Sequence, residues 1–191
     1  MEIFDIVDEQ GRPTGGRVER GEAHRGGILH RTAHVWIVRG CGGATQVLLQ
    51  KRSACKDSFP GEYDTSSAGH IPAGDEPVAS ALRELGEELG IAARPEELIP
   101  VGTFRIRYEK VFHERIFRDN EFTFVYALDR PVRAEELRLQ PEEIEAVEWF
   151  DLDRVCAACA DGSRTVDGKP ICVPDQGLAL IRAWCAARDA G

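Results

Sequence analysis

The 191-residue chain has no run of 18 apolar residues, so nothing in it reads as a membrane-spanning helix. It also lacks a basic excess: 24 lysines and arginines face 33 aspartates and glutamates, for a net charge of −9. No positive field would draw in a polyanion, which argues against a nonspecific nucleic-acid or anionic-membrane binder. A small phosphorylated ligand stays open, because one bound divalent cation reverses the local sign. The start, MEIFDIVDEQGRPTG, has neither the basic nor the apolar region of a signal peptide, and a cytoplasmic location is the expectation. A compact cysteine framework is missing too. Cys41, Cys55, Cys156, Cys159, Cys172 and Cys185 are scattered through a chain long enough to build a core without staples, so reduced thiols are expected. Cys156 and Cys159 have CxxC spacing, but no second pair or nearby histidine completes a zinc set, and they read as ordinary helix cysteines. No internal repeat, linker or regular βαβ alternation is visible, and the length suits one domain, residues 1–191.

What is present is an interleaving of strand and helix patterns. A short N-terminal strand leads into a polar turn. Strand-like runs at 30–39 and 45–52 flank the turn GCGG and predict a hairpin. Residues 53–75 hold Pro60, Gly61, Gly69, Pro72 and Gly74 and predict loop with short extended pieces; so long a loop usually carries function. Further strands are expected at 98–108, 120–129 and 143–152, a short helix at 152–160 and an amphipathic C-terminal helix at 174–188. The fold class is α/β, a sandwich with a mixed sheet.

The clearest helix follows the long loop. Pro77 suits a first turn, Asp75 and Glu76 sit near the positive end of the dipole, and Gly90 stops it. Val78, Ala81, Leu82, Leu85 and Leu89 form its apolar stripe. At about 100° per residue, Glu84 and Glu88 lie about 40° apart and Glu87 about 60° to the other side of Glu84. The plain reading is a solvated acidic face. Three like charges on adjacent turns repel, however, and Arg83 alone does not neutralise them. A hard divalent cation would, with Gly69 and Gly74 supplying a tight loop whose carbonyl joins the carboxylates.

These residues resemble the Nudix hydrolase motif G-x5-E-x7-R-E-U-x-E-E-x-G-U, where U is a bulky aliphatic. The chain reads Gly69, Asp75, Arg83, Glu84, Leu85, Glu87, Glu88, Gly90 and Ile91 at those positions, and only Asp75 departs. The resemblance implies a Nudix-type α/β/α sandwich, with Glu84, Glu87, Glu88 and the Gly69 carbonyl holding magnesium, or manganese in its place, against a diphosphate. It implies that Arg83 orients the neighbouring carboxylates. Asp75 keeps the charge for pairing with Arg83 but reaches one methylene less far, so an altered supporting shell is expected, and an active site.

The runs HRTAHVWIV, FPGEYDTSSAGH and DNEFTFVYAL are also similar to type I isopentenyl-diphosphate isomerases, which share the Nudix fold. By that resemblance His30 and His70 fall on histidine metal ligands, His24 roughly on a third, and Asp119 and Glu121 on two carboxylates. Glu121 is then a metal ligand or general base; its plain reading is a strand residue facing water. The plain reading of His30 and His34 is surface or core edge. The isomerase's cysteine position is occupied by Ala68, which has no proton to give, while the R-E-x-x-E-E run is intact.

The expectation is therefore a magnesium-dependent hydrolase, monomer or homodimer, cleaving a small organic or nucleoside diphosphate, with no nucleic-acid or membrane partner. The alternatives are an isopentenyl-diphosphate isomerase and a non-catalytic ligand-binding module of the same fold. Specificity is expected from loops at 53–68, 104–119 and 161–174. Arg105, Arg107, Lys110, Arg115 and Arg118 read either as phosphate clamps or as a surface charge ladder. Phe112 or Phe117 would stack on a base or cover an isoprenyl tail.

Overall fold

The structure is a computed structural model that describes residues 2–40, 44–112 and 114–190. The turn at 41–43, with Cys41, and the Arg115 side chain lie outside the described residues. The chain opens with a hairpin of β1 (Ile3–Val7) and β2 (Pro13–Glu19), followed by α1 (Arg20–Gly26). Then come β3 (His30–Arg39), β4 (Gln46–Arg52), β5 (Tyr63–Asp64) and β6 (Ser67–His70). The helix α2 (Pro77–Leu89) precedes two long strands, β7 (Ile99–Phe112) and β8 (Arg115–Asp129). Next are β9 (Ile144–Asp151), α3 (Leu152–Ala160), the small pair β10 (Thr165–Val166) and β11 (Lys169–Pro170), and α4 (Asp175–Ala190).

The main sheet is mixed. Its path runs β5-β4-β3-β8-β7, with β9 added on β4 and β6 on β3. The β3–β8 pairing is parallel and sets His30 beside Glu121 and Thr32 beside Thr123. The other pairings are antiparallel. Strand β3 is shared lengthwise: Thr32 to Val35 pair with β6, whereas Val38 and Arg39 pair with β4. One edge of β3 is therefore divided between β6 and β4, and the cavity of the candidate site is lined by Thr32 and His34 of β3, Arg52 of β4 and Ala68 to His70 of β6.

Alternation along β3 divides the core. Ala33, Val35 and Ile37 face Ala81, Leu85 and Leu89 of α2. Trp36 and Val38 face the other way, toward Val155 and Ala158 of α3 and Leu178, Ile181 and Cys185 of α4. Each fully buried leucine or isoleucine contributes about 1.5–3 kcal/mol, so α2 is held by its stripe and needs no strong cap. Pro77 opens the helix after Glu76, and Gly90 closes it at φ 67 with its N–H on the Gly86 and Leu85 carbonyls. Cys156 and Cys159 pack against the core from α3, and the five described cysteines are all unpaired.

Two segments differ from expectation. Residues 104–119 are not a loop: β7 and β8 run on as a two-stranded arm paired from Ile99 to Phe112. The cause is a period of two that continues past 108, with Phe104, Ile106, Tyr108 and Phe112 alternating with Arg105, Arg107 and Glu109. The helix α1 carries no apolar periodicity and was not foreseen; it is held by a Glu19 cap on Glu22 N–H and by Ala23 in a small core with Phe4 and Val18.

Candidate active site

The cleft holds a cluster of His24 (α1), His30 (β3), Asp119 and Glu121 (β8), all buried, and the partly buried His70 (β6). Two triads, His24–His30–His70 and His30–Asp119–Glu121, each have ligand atoms within 4.8 Å of one another. His70 Nε2 lies 3.3 Å, and His30 Nε2 3.8 Å, from Glu121 Oε1; His24 Nδ1 lies 3.7 Å from Asp119 Oδ1. Second partners orient the ligands. His30 Nδ1 donates to the Ile28 carbonyl at 2.8 Å, which turns the lone pair of Nε2 toward Glu121. Thr32 Oγ1 donates to Glu121 Oε2 at 3.2 Å, and the Tyr108 hydroxyl donates to Asp119. Phe4 of β1 is stacked on both His30 and His70, at 4.8 and 4.6 Å, and Phe117 is stacked on His24 at 4.3 Å. The N-terminal hairpin is thus a wall of the cluster.

Burial decides the protonation. It pushes His24 and His70 down to about 3 and His30 to about 4, so all three are neutral at neutral pH. It pushes Asp119 and Glu121 up, and Glu121 beside it raises Asp119 further. Both His24 nitrogens, His30 Nε2, His70 Nε2 and Asp119 Oδ1 have no hydrogen-bond partner among the described residues. Neutral imidazole lone pairs and carboxyl groups aimed at one another suit a cation between them.

The acids of α2 approach β6 from its other side. Glu88 is 4% exposed; Ser67 Oγ donates to it at 2.6 Å and the Ala68 N–H at 3.3 Å. Burial without a cation pushes its carboxyl up to about 8. Glu84 lies against Gly69, where a β-carbon would come within 2.2 Å of Glu84 Cδ, so only glycine leaves room for this carboxylate. Burial raises the Glu84 pKa too. Glu87 is exposed. Arg83 ties the set together, with one nitrogen 2.8 Å from Glu84, another 3.0 Å from Glu87, and a donation to the His70 carbonyl at 3.4 Å. Hence the face is not simply solvated. Nor do the three glutamates converge in the absence of a cation as the histidine cluster does.

The expected Asp75–Arg83 pair is corrected by the structure. Asp75 is exposed before α2 and offers its backbone carbonyl to Arg31 at 3.1 Å. Among the described residues, Arg83 pairs with Glu84 and Glu87, which lie on its own helix and closer at hand.

The three glutamates and, from the cluster, His24, His70, Asp119 and Glu121 line one cavity of about 670 Å³, together with Arg20, Arg52, Lys56, Arg107, Lys110 and Arg164. The arginine run therefore splits. Arg107 and Lys110 line the cavity, whereas Arg105 is engaged by Glu9 and Asn120, and Arg118 by Glu109 and the Arg25 carbonyl. Phe117 lines the cavity too, stacked on His24 at 4.3 Å and met edge-on by Phe112 at 6.0 Å. Three lining residues had no signal in the sequence: Arg20 on the unforeseen α1, His34, and Cys172 on the segment before α4.

A NUDIX domain profile matches residues 28–167. The chain belongs to the Nudix family. It is 43% identical over 150 residues to Nudix hydrolase 3 of Arabidopsis thaliana, covering 78% of this chain but only 19% of that protein. It is 38% identical over 154 residues to a Nudix hydrolase of Clostridium acetobutylicum, covering 81% of this chain and 72% of the other. An isopentenyl-diphosphate Delta-isomerase of Nocardia farcinica is 35% identical over 149 residues, 74% of this chain and 81% of that one. In fold, a Deinococcus radiodurans crystal structure superposes with a TM-score of 0.68 at 21% identity, over 96% of this chain and 99% of the other. Nudix hydrolases act on phosphoric anhydride bonds, and the mixed sheet between helices is the Nudix α/β fold. His24 and Phe4 lie ahead of the matched residues, although they complete the Nudix cleft.

Proposed function

We propose that the protein hydrolyses the diphosphate linkage of a small organic or nucleoside diphosphate with magnesium held by Glu84, Glu87, Glu88 and the Gly69 carbonyl. The observation that carries this is the fit of Glu84 against Gly69, a contact that reserves the position for a carboxylate facing the cavity. A bound divalent cation supplies Lewis-acid polarisation of a phosphoryl oxygen and lowers the pKa of its water. The chain does the rest. Arg83 holds Glu84 and Glu87 in orientation, and Arg20, Lys56 and Arg107 give the cavity the charge that draws in a diphosphate. The histidine cluster holds a second cation, for which three imidazole nitrogens and two carboxylates favour zinc, manganese or iron over magnesium. In this reading Glu121 is a ligand of that second cation.

The cluster is also the observation that favours the isomerase reading, since His24, His30, His70, Asp119 and Glu121 come together as that resemblance implies. Isomerisation needs a proton donor as well as a base. Ala68 offers none, and Cys172, a thiol lining the cavity, is kept protonated by burial and the charge of Asp64. Isopentenyl diphosphate with magnesium is the deciding substrate, followed by proton and phosphorus NMR. Isopentenyl monophosphate and phosphate are expected. Accumulation of dimethylallyl diphosphate overturns the hydrolase reading and makes Cys172 the donor to test.

A further inference from the structure

One face of β3 presents His30, Thr32 and His34 in succession, because alternate residues of a strand share a face. The first meets Glu121 in the metal-type cluster and the second meets Thr123 through its hydroxyl at 2.9 Å. His34 is the next rung. Its neighbours there are Ala68 on β6 and Val125 on β8, neither with a side chain able to hydrogen-bond. Phe104 meets its ring edge-on at 5.9 Å. His34 is 6% exposed, lines the cavity, and has a buried Nδ1 with no partner among the described residues. Burial holds it neutral, its pKa pushed down to about 4, so the ring carries one donor and one acceptor. Asp64 and Arg52 bring opposite charges near the ring, but nothing among the described residues hydrogen-bonds Nδ1. Leaving a buried polar group unmatched is costly, and a ligand group that matches it recovers that cost on binding.

We infer that His34 is a specificity-determining residue, contacting the group esterified to the diphosphate and selecting one that bears a hydroxyl over a hydrocarbon chain. The inference rests on the hydrolase reading. Ala68 is part of it: the small side chain beside the ring leaves room for a substrate group at that rung.

The test compares wild type with His34→Phe, which keeps a ring but no nitrogen, and His34→Gln, which keeps a donor and an acceptor. The probes are ADP, isopentenyl diphosphate and inorganic pyrophosphate, each with magnesium and phosphate release as the readout. His34→Phe is expected to lose at least about tenfold more kcat/KM on ADP than on pyrophosphate, mostly in KM, with His34→Gln recovering most of the difference. The ratio of ADP to isopentenyl diphosphate turnover should fall with it. Parallel losses on ADP and pyrophosphate, an unaltered ADP value, or a wild type that prefers isopentenyl diphosphate would each overturn the assignment. If His34→Phe does not fold by its melting curve, His34→Leu reads the same loss. Wild type releasing phosphate from none of the three ends the hydrolase reading instead. His34 is then decided by calorimetric binding of ADP with magnesium, where equal Kd in wild type and variant rejects it.

Discussion

Two sets of ligand-type side chains flank the four-residue strand β6, and they are assembled in different ways. Glu84, Glu87 and Glu88 come from one helix, and each is already engaged or solvated: Ser67 on Glu88, Arg83 on Glu84 and Glu87. His24, His30, His70, Asp119 and Glu121 come from four elements and are buried, His70 partly, with orphaned nitrogens. The first set is carboxylate and carbonyl chemistry that suits a hard cation exchanging with substrate and water. The second is a closed, largely imidazole set that suits a tightly kept one. Alternate residues of β6 serve each: Ser67 and Gly69 the glutamates, His70 the cluster.

The sharpest break between them is expected from Glu84→Gln, Glu87→Gln and Glu88→Gln. Magnesium-dependent phosphate release should fall at least about a hundredfold for buried Glu88 and partly buried Glu84, the upper end of what disturbing a ligand's support costs, and about tenfold or more for exposed Glu87. Near-wild-type turnover at limiting magnesium would remove the helix face from the reaction. His30→Gln or Glu121→Gln should act on the other set. They should abolish zinc or manganese binding in calorimetry while reducing magnesium-dependent turnover less than about tenfold. A loss as large as that of Glu88→Gln would show that the two regions are one centre.

The pH dependence of the metal-free protein separates the histidines from the buried carboxylates by sign. His24, His30 and His70 have folded values of about 3 to 4, below their unfolded 6.5, so their stabilisation is present above about pH 6.5 and is lost as pH falls toward 4. Glu88 has a folded value of about 8 against 4.5, and burial raises Asp119 and Glu121 too, so the carboxylates run the other way and their stabilisation is lost as pH rises. Melting temperature without metal should therefore peak in between, with magnesium restoring the Glu88 share of the alkaline limb and zinc the share of Asp119 and Glu121. A single rising curve would contradict the burial of Glu88. The smallest effect belongs to Asp75→Ala. Exposed and apart from Arg83, it should change stability by less than about 0.5 kcal/mol and leave turnover near wild type. A large loss would restore the pairing that the structure denies.

What could be read from sequence follows the same divide. The helix α2, the strand at β9 and the helix α3 were legible because their signals are local: a Pro start, a Gly stop, an apolar period. The glutamates and Gly69 were legible as a contiguous motif. The histidine cluster was visible only through a resemblance, because His30 and Glu121 are brought together by strand pairing that no local pattern records. His34 looked like any strand histidine until its neighbours Ala68 and Val125 were known. Asp75 misled because charge and motif position suggested Arg83, while helical geometry gave that arginine to residues one and four places on.

The parallel pairing of β3 with β8 joins Thr32 to Thr123, 91 residues apart, and so closes a long loop that the histidine ligands depend on. Contacts of that separation form slowly, after local ones such as the turns of α2. A cation proposed to sit among His24, His30, His70, Asp119 and Glu121 would therefore arrive when the chain has already committed to its final form. Interactions absent from the transition state change the rate of leaving the native state and not the rate of reaching it. Zinc or manganese bound there would act as a clasp on lifetime: refolding is expected to proceed at the same speed with or without it, and unfolding to slow in its presence.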